Sequence, residues 1–117
     1  TANWSLLKAM DPLLQASAAG RALFVTSTVG AQARAYWGAY AVSKSALEMM
    51  TRIYAEEVSK TSVRANLINP GATRTQMRAQ AMPGENPKTL VSPEDRTDLF
   101  VELALPSCET NGQLFIA

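Results

Sequence analysis

Apolar positions along the chain follow two patterns, one typical of helices and one typical of buried strands. In residues 2–18 and 40–59, apolar side chains recur every three or four positions, which predicts two amphipathic helices. Residues 21–27 contain a run of consecutive apolar side chains, and residues 63–69 form a second apolar-rich segment. We predict a short buried strand in each of these two segments.

The C-terminal part of the chain continues this alternation. Residues 72–90 have no clean periodicity, so we predict a long loop there, either without regular structure or with one short helix. Ser92, followed by a proline and two acids, predicts the N-cap of a helix that ends before Pro106. Residues 113–116 predict a final strand. Strands that alternate with helices indicate an α/β fold, with three parallel strands, right-handed crossovers and long flanking helices.

The composition restricts the partners and the compartment of the protein. The 117 residues form one domain at most, and their formal net charge of +1 gives no reason to expect a nucleic acid or a membrane surface as partner. We find no apolar stretch of membrane-spanning length and no signal peptide. Cys108 is the only cysteine, which favours a reducing compartment such as the cytoplasm.

The chain contains no histidine, and this limits its chemistry. Catalytic relays of the Ser-His-Asp or Cys-His type are excluded, as is any metal site that contains histidine. With one cysteine in addition, we expect no metal. Acid–base catalysis near neutral pH must then use a tyrosine, a lysine or a carboxylate.

Three residues around the second helix have the side chains that such catalysis needs. Ser27 follows the first strand, and ligands of open α/β sheets bind beyond the carboxyl ends of strands. Tyr40 and Lys44 lie one helical turn apart and share a face. An ammonium group beside a tyrosine favours the phenolate form, and a serine hydroxyl can stabilise charge on a substrate oxygen. Taken alone, however, such a tyrosine–lysine pair is usually a surface pair.

A second group of residues follows the next strand at the same predicted edge. Pro70 and Gly71 end the strand, and Thr73 and Thr75 come directly after them. Because the carboxyl ends of parallel strands lie at one edge of a sheet, we expect this loop near Ser27. Its threonines can hold a carboxamide or a phosphate group of a ligand.

The order of these motifs resembles the short-chain dehydrogenase/reductase family. The matching features are Ser27 thirteen positions before Tyr40, the Tyr-Ala-Val-Ser-Lys sequence ending at Lys44, and the Asn-Pro-Gly after the second strand. The stretches 34–40 and 77–87 resemble a bacterial subgroup of uncharacterised oxidoreductases. Tyr36 has no lysine four positions later, so the resemblance selects Tyr40 instead. We expect Tyr36 and Trp37 to form a pocket wall or to pack.

The resemblance implies a fold, a reaction and a role for each candidate residue. The chain would form the C-terminal half of a Rossmann-type, doubly wound parallel sheet in an NAD(P)-dependent oxidoreductase acting on small alcohols or carbonyls. Tyr40 would be the acid/base, Lys44 its electrostatic partner and a ribose ligand, and Ser27 a donor to the substrate oxygen. The nicotinamide side of the cofactor would contact Pro70, Gly71, Thr73 and Thr75. Residues 74–90 would form a substrate lid, and helices 2–18 and 40–59 would pack in a homo-oligomer.

The chain also departs from the family pattern. It has no glycine-rich phosphate-binding motif and no residue that selects NAD or NADP, so both cofactors remain open. The family's catalytic asparagine is expected just upstream of Thr1. We therefore expect residues 1–117 to be part of an NAD(P)-binding domain that lacks its N-terminal half and is inactive in isolation. The alternatives are a non-catalytic half-Rossmann module that binds a partner chain, and an epimerase or dehydratase of the same family.

Overall fold

A computed structural model gives the fold of residues 2–30 and 32–117. Thr1, and Ala31 in the predicted loop at 29–39, lie outside these described residues. The regular elements in chain order are α1 (Ala2–Ala16), β1 (Arg21–Val25), α2 (Gly38–Glu57), β2 (Arg64–Asn69), α3 (Gln76–Ala81), α4 (Thr97–Ala104) and β3 (Leu114–Ile116). Short 3-10 turns occupy Thr28–Gly30, Pro87–Thr89 and Pro93–Arg96.

The strands form one parallel sheet in the order β1-β2-β3. Val25 of β1 pairs with Ile68 of β2, and Ile68 pairs in turn with Phe115 of β3. The central strand is buried on both faces, and Leu67 and Ile68 are completely inaccessible to solvent. The predicted α/β architecture of three parallel strands with flanking helices is therefore confirmed.

The core lies between the sheet and the two longest helices. Helix α1 contributes Leu7 to this core. The other members come from α2, the segment between α2 and β2, and the start of β2, namely Tyr54, Ala55, Val58, Val63 and Ala65. The Tyr54 hydroxyl donates to Asp11 Oδ1 at 2.7 Å, which joins α2 to α1. Hydrogen bonds from Gln15 and Tyr54 hold the pKa of Asp11 below its usual value.

Several predicted boundaries were wrong by about two residues. Helix α2 begins at Gly38 rather than at Tyr40, and it ends at Glu57 rather than at residue 59. Tyr40 consequently lies within the first turn of the helix. Helix α1 ends at Ala16 rather than at residue 18. Among the described residues, no helix combines the length and the apolar character that crossing a bilayer requires.

Ser92 lies at the predicted N-cap position, but it precedes a 3-10 turn and its side chain makes no capping contact. Its hydroxyl donates to Asp95 Oδ2 at 2.7 Å instead of accepting from the backbone, and a 3-10 turn intervenes before α4 begins at Thr97. The nearby carboxylate competes for the hydroxyl, as short polar side chains allow. The predicted loop at 72–90 contains α3, whose N-cap Thr75 accepts from the backbone N–H of Arg78 at 3.1 Å.

Candidate active site

Lys44 joins the end of β1 to the first turn of α2. Its Nζ donates to the carbonyl oxygen of Val25 at 3.1 Å, and the same atom lies 5.6 Å from the centre of the Tyr40 ring. Because Tyr40 and Lys44 are one helical turn apart, the ammonium group lies between the strand end and the tyrosine. The structure thus brings this predicted pair together at the carboxyl edge of the sheet.

Ser27 lies two residues beyond the carbonyl that binds Lys44. It is half-buried, and its own carbonyl accepts from the backbone N–H of Gly30 at 3.0 Å, which closes the short turn after β1. Ser45 Oγ, next to Lys44 on α2, donates to the Gly30 carbonyl at 2.7 Å. The turn that carries Ser27 is therefore attached directly to the helix that carries Tyr40.

The two aromatic residues before Tyr40 differ in their environment. The Trp37 ring meets the Tyr40 ring edge-on, with 5.9 Å between the ring centres, which agrees with the expected packing. Tyr36 does not pack: its side chain is fully exposed, and its backbone has a φ of +70°. A left-handed conformation is unfavourable for a bulky residue because Cβ crowds the backbone.

The loop after β2 is held against the loop after β1 by Asn69. Its Nδ2 donates to Thr28 Oγ1 at 3.2 Å, and its Oδ1 accepts from the backbone N–H of Gly71 at 2.9 Å. Gly71 has a φ of +72°, a conformation that favours glycine. The same side chain therefore fixes both of the loops that carry predicted site residues.

The other predicted loop residues make mostly local contacts. Pro70 is half-buried directly beyond the strand. Thr73 Oγ1 donates to the Gly71 carbonyl at 3.2 Å, and Thr75 Oγ1 caps α3. Both hydroxyls thus order the loop itself, while the backbone of Gly71 is exposed at the sheet edge. Their role toward a ligand stays a prediction.

The region predicted as a lid has its own ion pair. Arg78 and Glu85 form a two-pronged contact, with Nε to Oε1 at 2.9 Å and Nη2 to Oε2 at 2.8 Å. This hydrogen bonding raises the pKa of Arg78 and lowers the pKa of Glu85. The pair connects α3 to the chain that follows it, so the region has local structure.

Sequence patterns alone missed three residues that organise this site. Asn69 joins the two loops. Arg96 donates to the carbonyl oxygens of Ala72 at 3.2 Å and Ala117 at 2.8 Å, which connects the loop after β2 to the residue after β3. Glu48 is a buried carboxylate one turn beyond Lys44. The only sequence signal for Glu48 is its spacing, because Tyr40, Lys44 and Glu48 follow one another at intervals of four.

A family model described as short chain dehydrogenase matches residues 1–86. The chain belongs to the short-chain dehydrogenase family. Among curated relatives, an uncharacterised oxidoreductase of Escherichia coli K12, YciK, is 48% identical over 102 residues, which are 87% of this chain and 40% of that protein. The resemblance stated from the motifs is thereby confirmed.

Solved short-chain dehydrogenase structures match almost all of the described fold. One from Salmonella enterica serovar Typhi has a TM-score of 0.94 and 46% identity, over 98% of this chain and 48% of that one. One from Shigella flexneri, complexed with NADP, has a TM-score of 0.93 and 45% identity, over the same fractions of the two chains. The chain therefore spans less than half the length of these relatives.

Proposed function

We propose that the protein is an NAD(P)-dependent oxidoreductase that moves a hydride between nicotinamide and a small alcohol or carbonyl compound. The observation that carries the proposal is the position of Lys44, hydrogen-bonded to the end of β1 and adjacent to the Tyr40 ring. The relative from Shigella flexneri that binds NADP, and one from Escherichia coli CFT073 that binds NADPH, support this choice of cofactor.

The residues present fit the nicotinamide end of such a cofactor. A lysine ammonium group has three N–H donors, of which one binds the Val25 carbonyl, so it can also bind a ribose hydroxyl. The exposed loop that begins at Gly71 can contact a carboxamide. We assign these contacts to Lys44 and to the loop of Pro70, Gly71, Thr73 and Thr75. When bound, the cofactor supplies or accepts the hydride.

The side chains then handle the proton and the charge on the substrate oxygen. In reduction, the Tyr40 hydroxyl gives its proton to the carbonyl oxygen, and in oxidation the phenolate takes a proton from the alcohol. Lys44 is the electrostatic partner of Tyr40, because its Nζ lies 5.6 Å from the centre of the Tyr40 ring. The Ser27 hydroxyl donates to the same substrate oxygen and stabilises its developing charge.

Residues 1–117 form, in this proposal, the C-terminal half of a longer domain. The support is that the chain spans less than half the length of its relatives and contains no glycine-rich phosphate site. We expect calorimetric titration of the isolated chain with NAD(H) and NADP(H) to give no binding. Measurable binding by this chain alone would contradict the assignment.

Replacing Tyr40 by phenylalanine in the longer protein tests its role. Loss of the proton donor should lower kcat by about 10²- to 10⁴-fold, while the dissociation constant of the cofactor stays nearly unchanged. The assay is NAD(P)H consumption with a panel of aldehydes and ketones. Tyr54→Phe removes the same hydroxyl from the same helix, away from the site, and should keep turnover. Full turnover by Tyr40→Phe would refute the acid/base role.

We expect a homo-oligomer that packs through helices 2–18 and 40–59. The support is a stripe on α2, formed by Val42, Met49 and Ile53, whose side chains are all more than half exposed. The exposed apolar residues of α1 are Trp4, Leu6, Met10 and Leu13. Sedimentation of the longer protein should show an oligomer that Ile53→Asp dissociates and Lys60→Asp, at an exposed position outside the stripe, does not. An unchanged oligomer in Ile53→Asp would contradict this interface.

We also expect the protein to work in the cytoplasm. The support is its single cysteine, Cys108, which is partly accessible and makes no disulfide in the structure. Fractionation of the source cells, with an antibody against this chain, should recover it with cytoplasmic markers. Recovery with membrane or secreted markers would refute this location.

A further inference from the structure

Three successive groups on α2 attach the helix to the chain around Ser27. Lys44 donates to the Val25 carbonyl, Ser45 donates to the Gly30 carbonyl, and Glu48 accepts from the side chain of Thr26. The proposed reaction uses the first of these groups directly. The third group, Glu48, has no role in that reaction, although a buried carboxylate needs an explanation.

Glu48 is enclosed by the turn that carries Ser27, which comprises residues 26–30 (hereafter the 26–30 turn). Its side chain is 4% exposed, and Oε2 accepts from Thr26 Oγ1 at 2.9 Å. Its other oxygen lies 3.7 Å from the guanidinium of Arg52, a residue whose side chain is 45% exposed. An ion pair at this distance and exposure contributes little to stability. The close partner of the carboxylate is therefore the threonine hydroxyl.

Gly30 fits against the same carboxylate. A Cβ added at this position would overlap Glu48 Oε2 and would lie 3.1 Å from Thr26 Oγ1. The backbone of Gly30 is also bonded at both ends, to the Ser27 carbonyl through its N–H and to Ser45 through its carbonyl. Glu48 thus contacts the 26–30 turn on both sides of Ser27, at the residue before it and at the residue that closes the turn.

We propose that Glu48 is a positioning residue that sets the place of the Ser27 hydroxyl relative to Tyr40. The inference rests on the proposed function and concerns the same site. A carboxylate at this depth adds little stability, since an apolar side chain of similar size commonly serves a core as well or better. Glu48 instead provides an acceptor at a fixed position on α2 for the hydroxyl of Thr26, the residue next to Ser27. Small displacements of a catalytic group lower turnover strongly.

The test is a double-mutant cycle in the longer protein, with Thr26→Val and Glu48→Met. Each single change should lower kcat by about 10- to 100-fold, with the KM for the cofactor nearly unchanged. The double variant should be no slower than the slower single variant, because both changes break one contact. Glu48→Gln keeps an acceptor for Thr26 and should retain most of the turnover.

Two controls separate positioning from stability. Thr51→Val removes a hydroxyl that is equally buried on α2 but is bonded to the carbonyl of Leu47 at 2.8 Å, so it should lower Tm without changing kcat. Glu102→Gln removes an exposed carboxylate from α4 and should change neither. The proposal is wrong if Thr26→Val and Glu48→Met lower only Tm, or if their effects on kcat multiply.

Hydrogen exchange distinguishes failure of this inference from failure of the proposed function. The Gly30 amide, bonded to Ser27, should exchange faster in Thr26→Val and in Glu48→Met than in Thr51→Val. If no substrate is turned over but this exchange pattern holds, the oxidoreductase assignment fails while the positioning of the 26–30 turn stands. If turnover is found and the Gly30 amide stays protected in both variants, the positioning role of Glu48 is refuted.

Discussion

Asn66 is the side chain whose removal should most weaken the attachment of β3. It is fully buried on the central strand, and both the nitrogen and the oxygen of its side-chain amide bind backbone groups outside that strand. Nδ2 donates to the Thr110 carbonyl at 2.8 Å, and Oδ1 accepts from the Gln113 N–H at 3.1 Å. Asn66→Ala would therefore leave one backbone acceptor and one backbone donor without their partners.

The magnitude follows from the two lost contacts. A buried polar group that loses its partner costs about 1–3 kcal/mol. Thr110 and Gln113 are exposed residues, so water can replace part of each bond, and we take the lower part of that range. The expected loss in the free energy of unfolding is about 2–3 kcal/mol for the pair. The backbone amides of β3 should also exchange faster, because Gln113 leads directly into that strand.

Urea denaturation of Asn66→Ala and of a matched Asn86→Ala variant checks this estimate. Asn86 is exposed, and its Oδ1 accepts a single backbone bond, from Lys88 at 3.0 Å. Its replacement should cost about 1 kcal/mol or less, as for an exposed cap. Equal losses in the two variants, with unchanged exchange in β3, would refute the claim that Asn66 holds the final strand.

Two further changes test the helix contact and the loop conformation. Hydrogen bonds from Gln15 and Tyr54 lower the pKa of Asp11. The stabilisation of the folded protein by these bonds is therefore complete above about pH 4, the pKa of Asp in an unfolded chain, and is lost as the pH falls through the lowered pKa. Tyr54→Phe should therefore destabilise the protein at pH 7 but progressively less at acidic pH, and a pH-independent difference in unfolding free energy would contradict this. Tyr36→Asn should raise the unfolding free energy by about 1 kcal/mol, because asparagine tolerates the left-handed backbone and the exposed ring loses no packing. A lower thermal midpoint in Tyr36→Asn would refute the strain argument.

The sequence predicted best what depends on local repetition. The central strand is predicted because residues 63–69 are rich in apolar side chains and Pro70 and Gly71 end the segment. The pairing of Tyr40 with Lys44 was predicted because a helix brings residues four apart onto one face. Both inferences need only the geometry of a single element, so no knowledge of the rest of the fold was required.

Contacts between distant segments could not be predicted in this way. Glu48 resembles any polar residue on an amphipathic helix, and its partner Thr26 precedes it by 22 positions. Asn69 resembles part of a turn in the sequence, although its Nδ2 donates to Thr28 in the turn after β1. Ser92 occupies its predicted N-cap position without a side-chain bond to the backbone, because Asp95, only three residues later, accepts from its hydroxyl. In each case the competing partner is decided by tertiary packing or by side-chain rotamers, which single-sequence patterns do not contain.

The order of the strands in space has a consequence for the way the chain folds. Strand β2 pairs with β1, and β3 pairs with β2, so each strand joins the one made just before it. The sheet can therefore grow from β1 to β3 as the chain leaves the ribosome. Among the described residues, the outer edges of β1 and β3 are both unpaired, and the β1 edge is the longer of the two, with five residues against three. An uncovered edge of this kind is a template for other strands. The solubility of newly made protein should therefore depend on how early that edge is covered, and less on how fast β2 and β3 join.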